Sequence, residues 1–140
     1  MKYFTREASQ QQSNWKGRSR WKSLWAGYDQ ELARTRDQLT PGWRELADAD
    51  FHDAEILAVE RPSPSEVILR LSGAGEGVCP VQFLGVREAR IPESATGDIW
   101  LYAEVHLTDG CGDLQVLLRD SEMQIIAPDV GVFRNHDNAD

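Results

Sequence analysis

Cysteine is scarce in this chain of 140 residues: Cys79 and Cys111 are the only two. With no export signature ahead of them, two thiols predict a reducing compartment rather than a disulfide scaffold. Neither stands in a Cys-x-x-Cys pair, which argues against a thiolate zinc site. Long apolar runs are missing as well, and no stretch approaches the ~20 residues of a membrane span. The opening Met1-Lys2-Tyr3-Phe4-Thr5-Arg6-Glu7 has neither an apolar core nor a cleavage site, so no secretory signal is expected. There is no internal repeat. The expectation is one cytoplasmic domain with no membrane partner.

What is present is charge, unevenly spread. The formal net charge is −8. Residues 1–44 hold 9 Lys+Arg against 4 Asp+Glu, whereas residues 45–140 hold 6 against 19. All three lysines, Lys2, Lys16 and Lys22, lie at the start. The acidic remainder should repel nucleic acid and attract a basic protein partner. Alternatively, the basic N-terminal segment docks on the acidic remainder of its own chain.

Periodicity divides the sequence in two. Residues 6–20 are polar, and Gln10-Gln11-Gln12-Ser13-Asn14 offers little to bury, which predicts loose or marginally helical chain. From Trp21 on, Trp21, Trp25, Tyr28, Leu32 and Leu39 recur at three- and four-residue steps, with Thr35 filling the gap. This predicts an amphipathic helix of about 18 residues. Thr40-Pro41-Gly42 ends it and starts a short second helix through Trp43 and Leu46. From residue 51 the pattern is β: Ile56–Val59, Val67–Leu71, Val78–Val86, Ile99–Leu107, Leu114–Leu118 and Met123–Ala127. Short connections without crossover helices favour antiparallel pairing. The predicted fold is α+β. Two N-terminal helices cover a five- to six-stranded antiparallel meander sheet that can curl into a partial barrel. A single domain 1–140 then comprises a helical segment 1–50, a β part 51–134 and a frayed tail 135–140.

The candidate site lies where connector becomes strand, at Phe51-His52-Asp53-Ala54-Glu55-Ile56. Alternation along Trp100-Leu101-Tyr102-Ala103-Glu104-Val105-His106 puts Trp100, Tyr102, Glu104 and His106 on one face. If that strand neighbours His52 and Asp53, two imidazoles and two carboxylates meet. Such a group suits a metal ion or acid–base chemistry. The competing expectation is a solvated outer face with His52 bonded to backbone. A concave aromatic face would instead suit protein or ligand binding.

Other motifs are weaker. Trp15-Lys16-Gly17-Arg18-Ser19-Arg20-Trp21-Lys22-Ser23-Leu24-Trp25 interleaves cations with indoles, a pattern that stacks bases and neutralises phosphates. The acidic bulk of the chain opposes that use. Gly73-Ala74-Gly75-Glu76-Gly77 lacks the following helix that a phosphate loop requires and reads as a hairpin loop. Gly110-Cys111-Gly112 forms a turn able to expose a thiol. No Gly-x-Ser-x-Gly elbow marks a serine nucleophile.

Met1-Lys2-Tyr3-Phe4-Thr5, Phe51-His52-Asp53-Ala54 and Phe83-Leu84-Gly85-Val86 together resemble a family of uncharacterised bacterial proteins. Its members open on a Met-Lys-Tyr-Phe-Thr-like stretch and carry a Leu-His-Asp-Ala/Ser-like motif before a β-rich half. Phe51 stands where leucine is common. The His-Asp-Ala motif is also similar to that of some bacterial toxin-immunity proteins. The first resemblance implies a bacterial cytosolic protein and the second one that binds a toxin; the acidic C-terminal part would suit a basic toxin. The reading is therefore a non-catalytic protein-binding module without a cofactor, using His52, Asp53, Trp100, Tyr102, Glu104 and His106. The alternatives are an enzyme built on His52, Asp53, Glu104 and His106, and nucleic-acid binding through residues 15–25.

Overall fold

A computed structural model describes residues 1–72 and 77–133. The glycine-rich stretch 73–76 and the tail 134–140 lie outside the described residues, as do the expectations placed on them. The fold is α+β: among the described residues, three α-helices pack on two antiparallel four-stranded sheets with no closed barrel.

The N-terminal segment is more helical than its composition suggests. Helix α1 spans Arg6–Gln10, capped by Thr5, whose hydroxyl accepts from Ala8 N. After a single 3₁₀ turn, α2 runs from Trp15 to Thr35. It begins six residues before the apolar stripe because Asn14 caps it, accepting from Gly17 N at 2.7 Å. Gly17 also lets the Gln11 carbonyl pass against the helix, where a Cβ would overlap it. Trp21 and Tyr28 are buried as the stripe predicts, but Trp25 keeps 39% of its surface exposed. Leu39 belongs to a different core from theirs. Helix α3, Pro41–Asp48, starts with proline in its first turn as expected.

The strands are β1 (Ile56–Glu60), β2 (Glu66–Ser72), β3 (Val78–Leu84), β4 (Glu88–Arg90), β5 (Trp100–Thr108), β6 (Cys111–Leu118), β7 (Glu122–Ala127) and β8 (Asp129–Val132). One sheet has the order β1-β2-β3-β8 and the other β4-β7-β6-β5. The expected single sheet of five or six strands is thus two meanders, β1-β2-β3 and β5-β6-β7, each widened by a short edge strand from the other half of the chain. Those two edge strands, β4 and β8, carry the topology. Neither carries a strand pattern in the sequence, since β4 is a three-residue Glu-Ala-Arg piece and β8 follows Pro128 and contains Gly131. Beyond the formal ladders, the chain before β1 bonds to the chain before β5. Asp53 N donates to Trp100 O and Trp100 N to Ala54 O, both at 2.8 Å. Ile56 N donates to Asp98 O at 2.9 Å and Gly97 N to Ile56 O at 2.7 Å. This seam joins the β1 edge of one sheet to the β5 edge of the other.

The main core fills the space between the sheets, with Ile56, Val67, Leu69, Leu71, Phe83, Val116, Leu118 and Ile125 fully enclosed. Trp43 of α3 plugs one end: it is fully buried, and its indole N–H donates to Ala127 O at 3.0 Å. Gly112 makes room for it, since a Cβ there would overlap the indole. Cys111, expected in an exposed turn, begins β6 and is 1% exposed, because the turn itself is Asp109-Gly110. A second, aromatic core of Phe4, Ala8, Trp21 and Tyr28 lies outside the β5 sheet, under α2 and the first five residues.

Candidate functional site

The His-Asp motif forms an exposed, well-pinned corner. Ala54 N donates to Phe51 O at 2.8 Å, closing a β-turn with His52 and Asp53 at its centre. Asp50 accepts from His52 N at 3.1 Å. Asp53 sits in the left-handed region at φ 69°. The His52 ring nitrogen Nδ1 lies 2.6 Å from Leu101 O. A carbonyl only accepts, so Nδ1 carries the proton and Nε2 is left facing outward. Nε2 is 3.6 Å from the Asp53 carboxylate, on side chains 45% and 75% exposed. The ring also packs on Tyr102, with centroids 5.0 Å apart.

Strand β5 divides the remaining candidates. A register shift between Trp100 and Tyr102 breaks the expected alternation. Trp100 therefore turns into the inter-sheet core against Phe51, with centroids 5.3 Å apart, and does not share a face with the other three. Tyr102, Glu104 and His106 stay on the opposite face. That face is not solvated: α2 and the N-terminal residues cover it. Tyr102 meets Trp21 at 4.8 Å and Phe4 at 6.0 Å between centroids, and its hydroxyl accepts from Gln12 Nε2 at 3.3 Å.

Glu104 is completely buried and is the anchor of the N-terminal strap. Its Oε1 accepts from Lys2 N at 3.0 Å, and its Oε2 from Tyr3 N at 2.8 Å and Phe4 N at 2.7 Å. His106 Nε2 adds a fourth bond at 2.7 Å. On its other side His106 Nδ1 stands 2.9 Å from Glu31 Oε2. No donor is aligned on that oxygen for a hydrogen bond, so the contact is chiefly Coulombic. Glu31 Oε1 takes the Lys2 ammonium at 2.7 Å. Four alternating charges thus tie the strap, α2 and β5 together. Burial alone would raise the Glu104 carboxyl, but His106 and the three backbone N–H groups outweigh it and hold it below the ordinary value. The Glu104 bond raises His106, against the pull of burial, with Glu31 and Asp113 adding to the rise. Lys2 lowers Glu31. Tyr28 is pushed up to about 12 by burial, and its hydroxyl accepts from Val105 N at 2.8 Å.

The structure therefore brings His52, Asp53 and Tyr102 into one cluster and Glu104 and His106 into another, with Trp100 in neither. The four-residue enzyme constellation is not assembled by the contacts seen: His52 bonds to Leu101 and packs on Tyr102, while both His106 nitrogens face carboxylates. Among the described residues, no group of three or more His, Cys, Asp or Glu side chains is placed to hold a metal ion. Lys2 and Tyr28, which the sequence marks only as charge and stripe, belong to the buried node, and so does Glu31. The readable signal was Glu31 one turn beyond Tyr28 on the covering face of α2.

Fold and node define an α+β protein of two antiparallel sheets whose N-terminal strap is anchored on a buried carboxylate. The chain belongs to the family described as Protein of unknown function (DUF4085), whose model matches residues 2–127. A comparison with curated proteins gives no match. Among the described residues, no helix is long and apolar enough to cross a membrane.

Proposed function

We propose that the protein acts by surface contact, binding a basic protein partner at the corner around His52 and Asp53. The observation that carries this reading is Asp53 itself. A non-glycine residue in the left-handed region costs about 1–2 kcal/mol, and this one is spent on an exposed carboxylate beside an ordered imidazole. The corner lies in an acidic run in which Glu45, Asp48, Asp50, Asp53 and Glu55 are all exposed. Among the described residues, Asp48 is the one of these paired with an arginine, Arg36 at 2.6 Å. The His52 ring packs on Tyr102, which in turn meets Trp25, 39% exposed, an aromatic residue of the kind protein interfaces favour. An immunity-type inhibitor of a basic toxin is one form of this function.

The test is calorimetric titration with oligolysine and with a small basic nuclease across a salt series. Reversing Asp50 and Asp53 to lysine should weaken binding at least about tenfold and flatten its salt dependence. Reversing Glu7 and Glu93, exposed elsewhere, should do much less. Equal losses from the two pairs would reject the corner.

A second reading has its own observation. Lys16, Arg18, Arg20 and Lys22 are all exposed on α2, next to Trp15, which is 69% exposed. Lys16 with Arg20, and Arg18 with Lys22, make two rows of cations on different sides of the helix, and cations beside an exposed indole suit a single-stranded nucleic acid. Unchanged oligonucleotide affinity after replacing Arg18, Arg20 and Lys22 would reject it.

A further inference from the structure

The outer face of the β5 sheet carries polar rows, and only its β5 side is roofed by the strap and α2. One row runs Arg90, Gln124, Gln115, Glu104 across all four strands. Where the roof ends, Met1, Arg90, Gln115, Glu122, Met123 and Gln124 line a cleft of about 330 Å³. Two lining side chains are tied to Asp113, 3% exposed, which accepts from Gln124 Nε2 at 3.0 Å and Gln115 Nε2 at 3.4 Å as well as from Thr108 Oγ1 at 2.9 Å.

We propose that this cleft binds a cationic nitrogen group, an ammonium or guanidinium on a short aliphatic stem. An ionised carboxylate accepts hydrogen bonds and donates none, so Asp113 dictates how the two glutamines turn. Their NH₂ groups face Asp113, and their carbonyl oxygens are the acceptors left over. Neither carbonyl, nor the exposed Glu122 carboxylate, meets a donor among the described residues. Of the lining cations, Arg90 is held by Glu88, at 2.9 Å from Nε and 2.8 Å from Nη2, and the other is the Met1 α-ammonium. The two amide carbonyls and the Glu122 carboxylate are the acceptors left to bind, and Asp113 and Glu122 together outweigh the Met1 charge. Met1 supplies a flexible, polarizable wall for methylenes. The volume is at the small end for ligand sites, which fits one cationic head and its stem. The cleft shares no residue with the His52–Asp53 corner, so the two sites stand or fall separately.

The test is an NMR titration of the ¹⁵N-labelled full chain. Agmatine represents a free amine, N-acetyl-arginine amide a protein side chain, and sodium acetate is the control. Either cation should shift the Gln115 and Gln124 side-chain amide signals saturably, and the tighter of the two identifies the natural source. Glu122→Gln, an exposed and structurally mild change, should weaken binding about tenfold, the scale of a hydrogen bond to a charged group. Arg90→Gln should leave affinity equal or higher. Shifts with acetate matching those with agmatine, no saturation with either cation, or an unchanged affinity in Glu122→Gln would each overturn the proposal.

Discussion

At the residue scale, Asp53 carries strain and Gly112 carries space, and each yields a prediction. Replacing Asp53 with glycine removes the Cβ that makes the left-handed turn costly. Asp53→Gly should therefore raise the unfolding free energy by about 1 kcal/mol in urea titrations while weakening binding of a basic partner. Loss of stability in this variant would mean that the carboxylate holds the turn rather than serving the surface. Gly112→Ala forces a methyl group into the Trp43 indole and should cost roughly 1–3 kcal/mol by overpacking. Trp43→Ala should cost about 3–5 kcal/mol, and the double variant much less than the sum, because both act on one contact. The importance of Trp43 is legible in sequence as an apolar position of a short helix. Its pairing with Gly112, 69 positions away, is not, since nothing local to either residue names the other.

At the element scale, the strap Met1–Thr5 is held on β5 by ionisable groups, which makes its docking pH-dependent. His106 is raised above its ordinary 6.5, so its stabilisation is fully present below that pH and is lost as pH climbs through the raised value. Glu104 is lowered below its ordinary 4.5, so its contribution is complete above that pH and fades as pH falls through the lowered value. Stability contributed by the node should peak between about pH 4.5 and 6.5. Thermal unfolding followed across pH should show the alkaline decline, and His106→Gln should remove it. Glu104→Ala leaves a part-buried imidazolium, the buried Phe4 N–H and the part-buried Lys2 and Tyr3 N–H groups without their acceptor and should cost about 3 kcal/mol. Hydrogen exchange at Lys2, Tyr3 and Phe4 should quicken in that variant more than exchange at β2 or β3. Periodicity revealed α2 and α3 because a helix exposes its own pattern. It leaves the outer face of β5 open between a polar site, a solvated surface and an aromatic binding face, because Tyr102, Glu104 and His106 alternate like exposed strand residues. Their cover comes from the opposite end of the chain.

At the scale of the whole molecule, both thiols are enclosed by the two-sheet sandwich, Cys79 at 4% and Cys111 at 1% exposure. Labelling by a bulky thiol reagent should proceed no faster than global opening, and in step with urea-induced unfolding. Rapid labelling of Cys111 under native conditions would contradict the buried start of β6. The sequence by itself determined the class and most elements: amphipathic stripes, the Thr40-Pro41 helix start, and strand patterns with short antiparallel connections. These are local, because hydrophobic period and turn chemistry are written within a dozen residues. Only the tertiary structure decided that the strands divide into two sheets. It placed β4 and β8 across from their sequence neighbours, turned Trp100 inward through a bulge, and separated His106 from His52. Those outcomes depend on long-range pairing and on one buried carboxylate meeting three backbone N–H groups 100 to 102 residues away, which no local pattern encodes.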